Sequence, residues 1–338
     1  MTDVTVVIPS KNRRAMLART LHSVLAQRDV DLQVVVVDDG GSDGTPAAVA
    51  GLGDSRVSVV RHEVSKGVSA ARNAGLQRAR SPWVAFVDDD DLWSPSKVRA
   101  QLDALAETPP AGWSCAGAVH IDQHCRIVGA VTPLPETDVA DALLAGNQVP
   151  GGGSGTLVSR ELAVAVGGFD EALASLADWD FYIRLALAAP CASVPNYHIG
   201  YFIHTQGMAH DVTRSTTERN YVSVKYAADR ARRGVALGDQ EWLLYLAWMA
   251  GRSGDHRRAW ALNAQLLRRF PTRRNLKVVA KLAVPVRIRK SPTLRRFIAP
   301  PDDPADWAGD APRWLAPYAH GWLEPAVVEA GGRYPFHA

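Results

Sequence analysis

Eight aspartates fall in three tight groups along this 338-residue chain: Asp38-Asp39, Asp88-Asp89-Asp90-Asp91, and Asp178 with Asp180 two residues on. Adjacent carboxylates repel one another unless a cation or hydrogen-bond donors compensate, and a hard divalent ion such as magnesium or manganese suits oxygen ligands. A solvated acidic turn is the competing reading. Against it, Asp88 follows directly on the apolar run Trp83–Val87, and Asp38 on Val34–Val37. Both groups thus sit at the carboxyl ends of buried strands, where open parallel sheets bind their ligands. His204 closes the segment HIGYFIH and by itself reads as a satisfied structural histidine. The glycine-rich stretch Gly40–Gly44 reads as a turn rather than a phosphate cradle, because a lone glycine loop is weak evidence.

The elements that must position these groups are legible as alternation. Val4–Ile8, Val34–Val37, Val57–Val60 and Trp83–Val87 are short, β-branched apolar runs, as strands covered on both faces should be. Leu17, Leu21, Val24 and Leu25 recur on one helical face between the first two. Strand and helix alternating through short connections imply right-handed crossovers and a mostly parallel sheet, an α/β fold. Beyond Asp91, Ser94-Pro95 reads as an N-cap and first helical residue. Residues 113–131 read as a strand pair turning near Asp122-Gln123. Gly151–Gly155 form a loop before a short strand, a helix starts at Arg160 and stops at Gly167-Gly168, and another starts near Asp178. A boundary is expected near residue 215, followed by a helical, basic C-terminal region and a Pro/Trp-rich tail.

Composition excludes several classes. Hydrophobic residues make up 47% and charged residues 22%, which supports a packed core over most of the length. Lys plus Arg number 38 against 35 Asp plus Glu, so no wholesale nucleic-acid binding is expected. The three cysteines form no CxxC pair, which argues against a disulfide scaffold and fits a reducing cytoplasm. The opening MTDVTVVIPS lacks the regions of a signal peptide, and no uncharged apolar run is long enough to span a membrane.

VVIPSKNR (6–13), VVVDDGGSDGT (35–45), KGVSAARNAGL (66–76), WVAFVDDDDLW (83–93) and GGFDEALASLADWDFYIRL (167–185) together resemble family 2 glycosyltransferases, in order and approximate spacing, over roughly residues 3–205. The resemblance implies the GT-A fold, with a nucleotide-binding half at 1–110 and an acceptor-binding half at 111–215, and an inverting transfer from a nucleoside-diphosphate sugar. By that resemblance Pro9, Ser10 and Asn12 pack against the nucleotide. Asp39 accepts from the base with Asp38 supporting it, and Lys66 and Arg72 lie near the diphosphate. Asp88 and Asp89 belong to the acidic donor-binding segment, with Asp88 towards the ribose. Asp90 and His204 address Mn2+ or Mg2+, and Asp178 is the base that deprotonates the acceptor. The family has a Glu-Asp pair where this chain has Ala177-Asp178, which bears on how the acceptor is held. Trp93 and Trp179 are candidates to stack on sugar faces. Each assignment has a plainer alternative: a helix N-cap for Asn12 and Asp178, a surface arginine for Arg72, a turn for Lys66-Gly67, core packing for Trp93 and Trp179.

The expected donor is a UDP-sugar and the acceptor a sugar, lipid-linked or small-molecule hydroxyl. A nucleotidyltransferase is the enzymatic alternative, although the glycine run it needs after the first strand is missing. A silent sugar- or lipid-binding protein is the alternative from outside enzymes. Between Gly251 and Ala299 stand fourteen Lys or Arg and one acid, Asp255. That segregation suits either a peripheral contact with the inner face of an anionic membrane or a helical appendage that pairs two copies of the chain.

Overall fold

The computed structural model describes residues 2–134, 138–204, 211–252, 254–273, 275–276, 279 and 308–319. The chain separates into two compact units, one built from residues 1–143, 147–204 and 310–338 and the other from 144–146 and 205–309.

The first unit is built on a single nine-stranded sheet. Strands β1 (Val4–Ser10), β2 (Leu32–Asp39), β3 (Val57–His62) and β4 (Trp83–Phe86) are parallel and lie in the order β3-β2-β1-β4. Every residue of β1 is buried, because helices cover both faces. Helix α1 (Arg14–Leu25) turns Leu17, Leu21 and Val24 into the core, as its spacing requires. Helix α2 (Thr45–Ala50) joins β2 to β3, and α3 (Val68–Arg78) joins β3 to β4. Gly75 lets α3 approach β1 closely, since a Cβ there would fall 2.2 Å from Val7 Cγ1.

The sheet continues from β4 through antiparallel β8 (Thr156–Ser159) to β6 (Trp113–Ile121), which runs parallel to the long β9 (Cys191–Phe202). Short β5 (Leu92–Trp93) pairs with β9, and β7 (Ile127–Val131) forms a hairpin with β6. The hairpin turns where expected. Asp122 Oδ1 accepts the amides of His124 and Arg126 at 2.8 and 3.0 Å, and Cys125 takes the left-handed conformation at φ 52°. Helix α4 spans Lys97–Glu107 and packs against β6 and β9, while α5 (Val139–Ala145), α6 (Arg160–Ala165) and α7 (Ala177–Ala188) follow along the chain. The expected cap at Ser94 is corrected. Ser94 is buried, its hydroxyl lies 2.6 Å from His198 Nδ1, and α4 starts two turn residues later behind Ser96.

The second unit holds α8 (Val212–Lys225), α9 (Ala227–Arg233), α10 (Asp239–Arg252) and α11 (His256–Arg269). Asp211 and Asp255 cap α8 and α11 by accepting the amides of Arg214 and Arg258 at 2.9 and 3.0 Å. The Asp239 carboxylate takes Arg219 at 2.7 Å and Arg269 at 2.6 Å, which links α8, α10 and α11. Leu246, Met249 and Ala250 pack with Val212 and Ala259 in its core.

The chain then returns to the first unit. Helix α12 (Ala311–Leu315) buries Trp314 and Leu315 beside Gly200 of β9. Tyr318 O accepts Arg19 Nη2 of α1 at 2.6 Å. Residues 310–319 thus group with the first unit. Most of the basic stretch from Arg274 to Arg296 lies outside the described residues.

Candidate functional site

The ends of β1, β2 and β4 and the loops leaving them bring most of the singled-out residues together. Asp88–Asp91 form the link from β4 to β5, and each carboxylate is compensated differently. Asp88 Oδ1 meets Arg72 Nη2 of α3 at 2.5 Å. Asp89 accepts the Ser10 hydroxyl at 2.7 Å and Arg13 Nη1 at 3.2 Å. Asp90 Oδ2 takes Arg13 Nη1 at 2.7 Å and lies 2.8 Å from His204 Nε2. Asp91, fully buried, accepts the Ser154 hydroxyl at 2.5 Å and the Phe202 amide at 2.9 Å. Burial, with Asp90 and Asp88 nearby, pushes Asp91 well above the carboxylate range. It is an anchor for the loop rather than a ligand-facing acid. Burial and Asp90 likewise push Asp89 upward, against the pull of Arg13 and Ser10.

The glycine-rich loop closes over this edge. Ser154 Oγ also accepts the Asp88 amide at 3.0 Å, so one hydroxyl ties the loop to both ends of the acidic segment. A Cβ on Gly153 would lie 2.4 Å from Arg72 Nη2 and 3.0 Å from Asp88 Oδ1, and one on Gly152 would lie 3.1 Å from Asp178 Oδ2. Two consecutive glycines are thus what places the loop against the Arg72–Asp88 pair and Asp178 together. Tyr182 on α7 donates to Gly152 O at 2.7 Å and fixes the loop from the other side.

Asp178 stands in the first turn of α7 and is partly exposed. Its Oδ1 accepts the Trp179 amide at 2.7 Å, within the turn, and Leu176 occupies the cap position. Burial is the largest influence on its acidity and raises it to about 6, with Arg72 pulling the other way. A carboxylate of that strength is half-ionised near pH 6 and suits general-base work at neutral pH. Asp180 is fully buried and pairs with Arg184 at 2.7 Å, away from the site.

At β2 the two acids have different surroundings. Asp39 has both oxygens committed: Oδ1 to His62 Nδ1 at 2.7 Å and the Lys66 amide at 2.8 Å, Oδ2 to the Ser65 hydroxyl at 2.6 Å and the Gly67 amide at 2.9 Å. Burial pulls its pKa up, but these four donors together hold it below the ordinary value. The acceptor left without a hydrogen bond is Asp38 Oδ2, fully buried, with Arg61 Nε at 3.5 Å. Asp39 thus organises the Ser65–Gly67 turn, while Asp38 lies fully buried beside it in sequence. Lys66 takes part through its amide, and its side chain is exposed. Pro9 lies within β1 opposite Val37. Asn12 does not cap α1. It takes the left-handed conformation at φ 56°, and its Oδ1 accepts the Ser42 amide at 2.7 Å, binding the β1 and β2 loops together.

Trp93 and Trp179 are buried in the core and do not stand as sugar platforms. Trp93 Nε1 donates to Ser154 O at 3.1 Å, and Lys97 lies 3.7 Å from its ring centroid. Arg13 is the site residue that sequence reasoning passed over. Its signal was present in VVIPSKNR, a cation just past the first strand.

Residues 5–130 match the family model described as glycosyl transferase family 2. The likeness to family 2 glycosyltransferases is carried by a domain over residues 5–130. The domain is 41% identical over 101 residues to the succinoglycan biosynthesis protein ExoO of Rhizobium meliloti, a match covering 30% of this chain and 29% of that one. It is 39% identical over 106 residues to TuaG of Bacillus subtilis, a putative teichuronic acid biosynthesis glycosyltransferase, covering 31% and 42%. Over 102 residues it is 33% identical to WfgD of Escherichia coli, covering 30% and 40%; that protein is a UDP-Glc:alpha-D-GlcNAc-diphosphoundecaprenol beta-1,3-glucosyltransferase. The matches therefore span less than half the length of these three relatives. Two solved structures share the fold of the glycosyltransferase. The mannosyltransferase PcManGT from Pyrobaculum calidifontis, in complex with GDP-Man and Mn2+, has a TM-score of 0.53 at 20% identity over 88% of this chain and 87% of that one. S. aureus TarS 1-349 has a TM-score of 0.52 at 17% identity over 83% and 79%. The architecture is GT-A, with a helical C-terminal region.

Among the described residues no three acidic, histidine or cysteine side chains come together as a ready metal cage. Asp90 and His204 do form a pair of one hard oxygen and one imidazole nitrogen beside Asp88. That set fits an ion held by few protein ligands and completed by water and phosphate oxygens, as magnesium and manganese commonly are. No helix among the described residues is long and apolar enough to cross a membrane.

Proposed function

We propose that this chain is an inverting glycosyltransferase that moves a sugar from a nucleoside diphosphate to an acceptor hydroxyl, with Mn2+ or Mg2+ as cofactor. The observation carrying the reading is the convergence of Asp178 and the Arg72–Asp88 pair against one glycine loop, with Asp90, two residues on from Asp88, paired to His204. Asp178 accepts the proton of the acceptor hydroxyl as that oxygen bonds to the anomeric carbon. The bond from that carbon to the diphosphate oxygen breaks, and its electron pair leaves with the diphosphate. Arg72 is buried and its Nε has no acceptor, a donor that an anionic ligand would satisfy. Asp39 addresses the base from the Ser65–Gly67 turn that it holds in shape, and Asp38 supports it by accepting the Gly41 amide. When bound at Asp90 and His204, the divalent ion would neutralise charge on the leaving diphosphate.

A UDP-sugar donor and a lipid-linked acceptor are the reading best supported by the WfgD likeness, while the PcManGT likeness keeps GDP-sugars in the comparison. A lipid-linked acceptor would bring the protein to a membrane surface. Helix α11 presents Arg257, Arg258, Arg268 and Arg269 to solvent together with Trp260, which is 54% exposed. A thermal-shift panel of nucleotide sugars with Mn2+ tests the donor, since the ligand that binds raises the melting temperature by mass action. Product analysis tests the reaction: release of nucleoside diphosphate supports glycosyl transfer, whereas pyrophosphate means nucleotidyl transfer. Absence of turnover with every donor would favour a silent binder.

A further inference from the structure

The acidic segment has two arginine partners, and they differ in what they can do. Arg72 is 3% exposed, lies 5.1 Å from the Phe169 ring centroid and is sandwiched under Gly153. Arg13 is 24% exposed in its side chain and is held by the Asp89 and Asp90 carboxylates. It sits at the N-cap of α1, next to Asn12 on the Ser42 amide and Arg14 on Asp43 Oδ2 at 2.8 Å. From there its Nη1 reaches Asp90 Oδ2 at 2.7 Å, the same oxygen that lies 2.8 Å from His204 Nε2.

That oxygen cannot serve a guanidinium and a divalent ion in the same way at the same time. An arginine does not yield by losing its proton, because its pKa lies far above physiological pH. It must swing away or be repelled. We propose that Arg13 is an exchangeable counter-ion: it holds Asp89 and Asp90 while no divalent ion is present, and turns to the donor's diphosphate once the ion has taken Asp90. The exchange rests on the glycosyltransferase reading above. It leaves the four-acid segment compensated in both states: by Arg13 in one, by the ion in the other. A guanidinium fork suits phosphate oxygens geometrically as well as by charge. The incoming diphosphate brings the anion to which the released side chain can move.

The test is Mn2+ binding to the full-length protein, followed by electron paramagnetic resonance of free Mn2+, and UDP or GDP binding by calorimetry with and without Mn2+. Removing a charge-assisted bond that competes with the ion should tighten Mn2+ binding in Arg13→Gln by about tenfold or more when no nucleotide is present. The same variant should bind the nucleoside diphosphate with Mn2+ about tenfold more weakly than the native protein. Arg13→Lys, which keeps the charge without the fork, should recover part of that loss. Asp90→Asn should lose Mn2+ binding in either background. Native-like Mn2+ and nucleotide affinities in Arg13→Gln overturn the proposal, as does weaker Mn2+ binding without nucleotide. Should Arg13→Gln fail to fold, Arg13→Lys decides alone, and a native nucleotide affinity with Mn2+ overturns the exchange. A native protein that binds neither Mn2+ nor either nucleotide overturns the glycosyltransferase reading itself, and the exchange with it.

Discussion

Replacing Asp178 by Asn should make the protein more stable and nearly inactive, and the two effects have one cause. Burial lifts the Asp178 pKa to about 6 from an ordinary value of 3.8. In the folded protein the charged form is therefore disfavoured relative to the unfolded chain. The penalty is fully present above about pH 6 and vanishes below about pH 4, because an acid with a raised folded-state pKa loses stability as it ionises. A displacement of about two pH units corresponds to about 3 kcal/mol. Asp178 is partly exposed, so about 1–3 kcal/mol is the expected gain for the neutral amide at pH 7.5. For a unit of this size that is roughly 2–10 °C in melting temperature. The gain should shrink as the pH falls towards 5, where the native acid is itself mostly protonated. Transfer should drop by about two or more orders of magnitude, the scale of general-base loss, while donor binding persists. In the native enzyme kcat/KM should fall about tenfold for each pH unit below about 6. Differential scanning calorimetry at both pH values, paired with turnover assays, measures all of this. Native turnover in the variant refutes the base. A melting temperature unchanged at pH 7.5, or a gain equal at both pH values, refutes the argument from burial.

Three other outcomes can be checked directly. Ser154→Ala removes the hydroxyl shared by Asp91 and the Asp88 amide, so a loss of about 2–4 kcal/mol is expected, seen as a clear drop in melting temperature together with lower kcat. Gly75→Ala forces a methyl into Val7 and should cost about 1–3 kcal/mol or prevent folding, as denaturant titration would show. Chelation with EDTA should abolish transfer and Mn2+ should restore it, whereas Asp90→Asn should resist restoration; full activity in EDTA would contradict the metal reading.

The sequence was most legible where pattern is local. The buried strands and α1 follow from runs and spacing that one segment carries by itself, and so does the Asp122 turn. The start of α4 was not, because Ser94 is drawn to His198, a partner 104 residues away. The hydrogen-bond partners of Asp38 and Asp39 were equally invisible: they depend on which side the Ser65–Gly67 turn presents its donors. The different surroundings of the four adjacent aspartates were likewise not legible, since Asp91 faces inward to Phe202 and Ser154 through contacts distant in sequence. Co-occurring motifs do have a physical reason here. Asn73 of ARN exchanges hydrogen bonds with the Phe169 backbone of GGFDE at 2.8 and 2.9 Å, and Ser69 donates to Leu173 O at 2.6 Å. Each motif is the other's docking surface.

Because α12 seats Trp314 and Leu315 against β9 and Tyr318 holds α1, the ribosome must synthesise the whole helical unit before the glycosyltransferase unit can close. Until α12 is made, the flank of β9 at Gly200 has yet to meet Trp314 and Leu315. Folding of α8–α11 during that interval falls between the first and last pieces of one domain, like a parenthesis in a sentence. A chain cut near residue 215 would therefore be an unfinished enzyme rather than a minimal one. Membrane contact is therefore better tested by charge-reversing substitutions on α11 than by removing the C-terminal residues that make this closure.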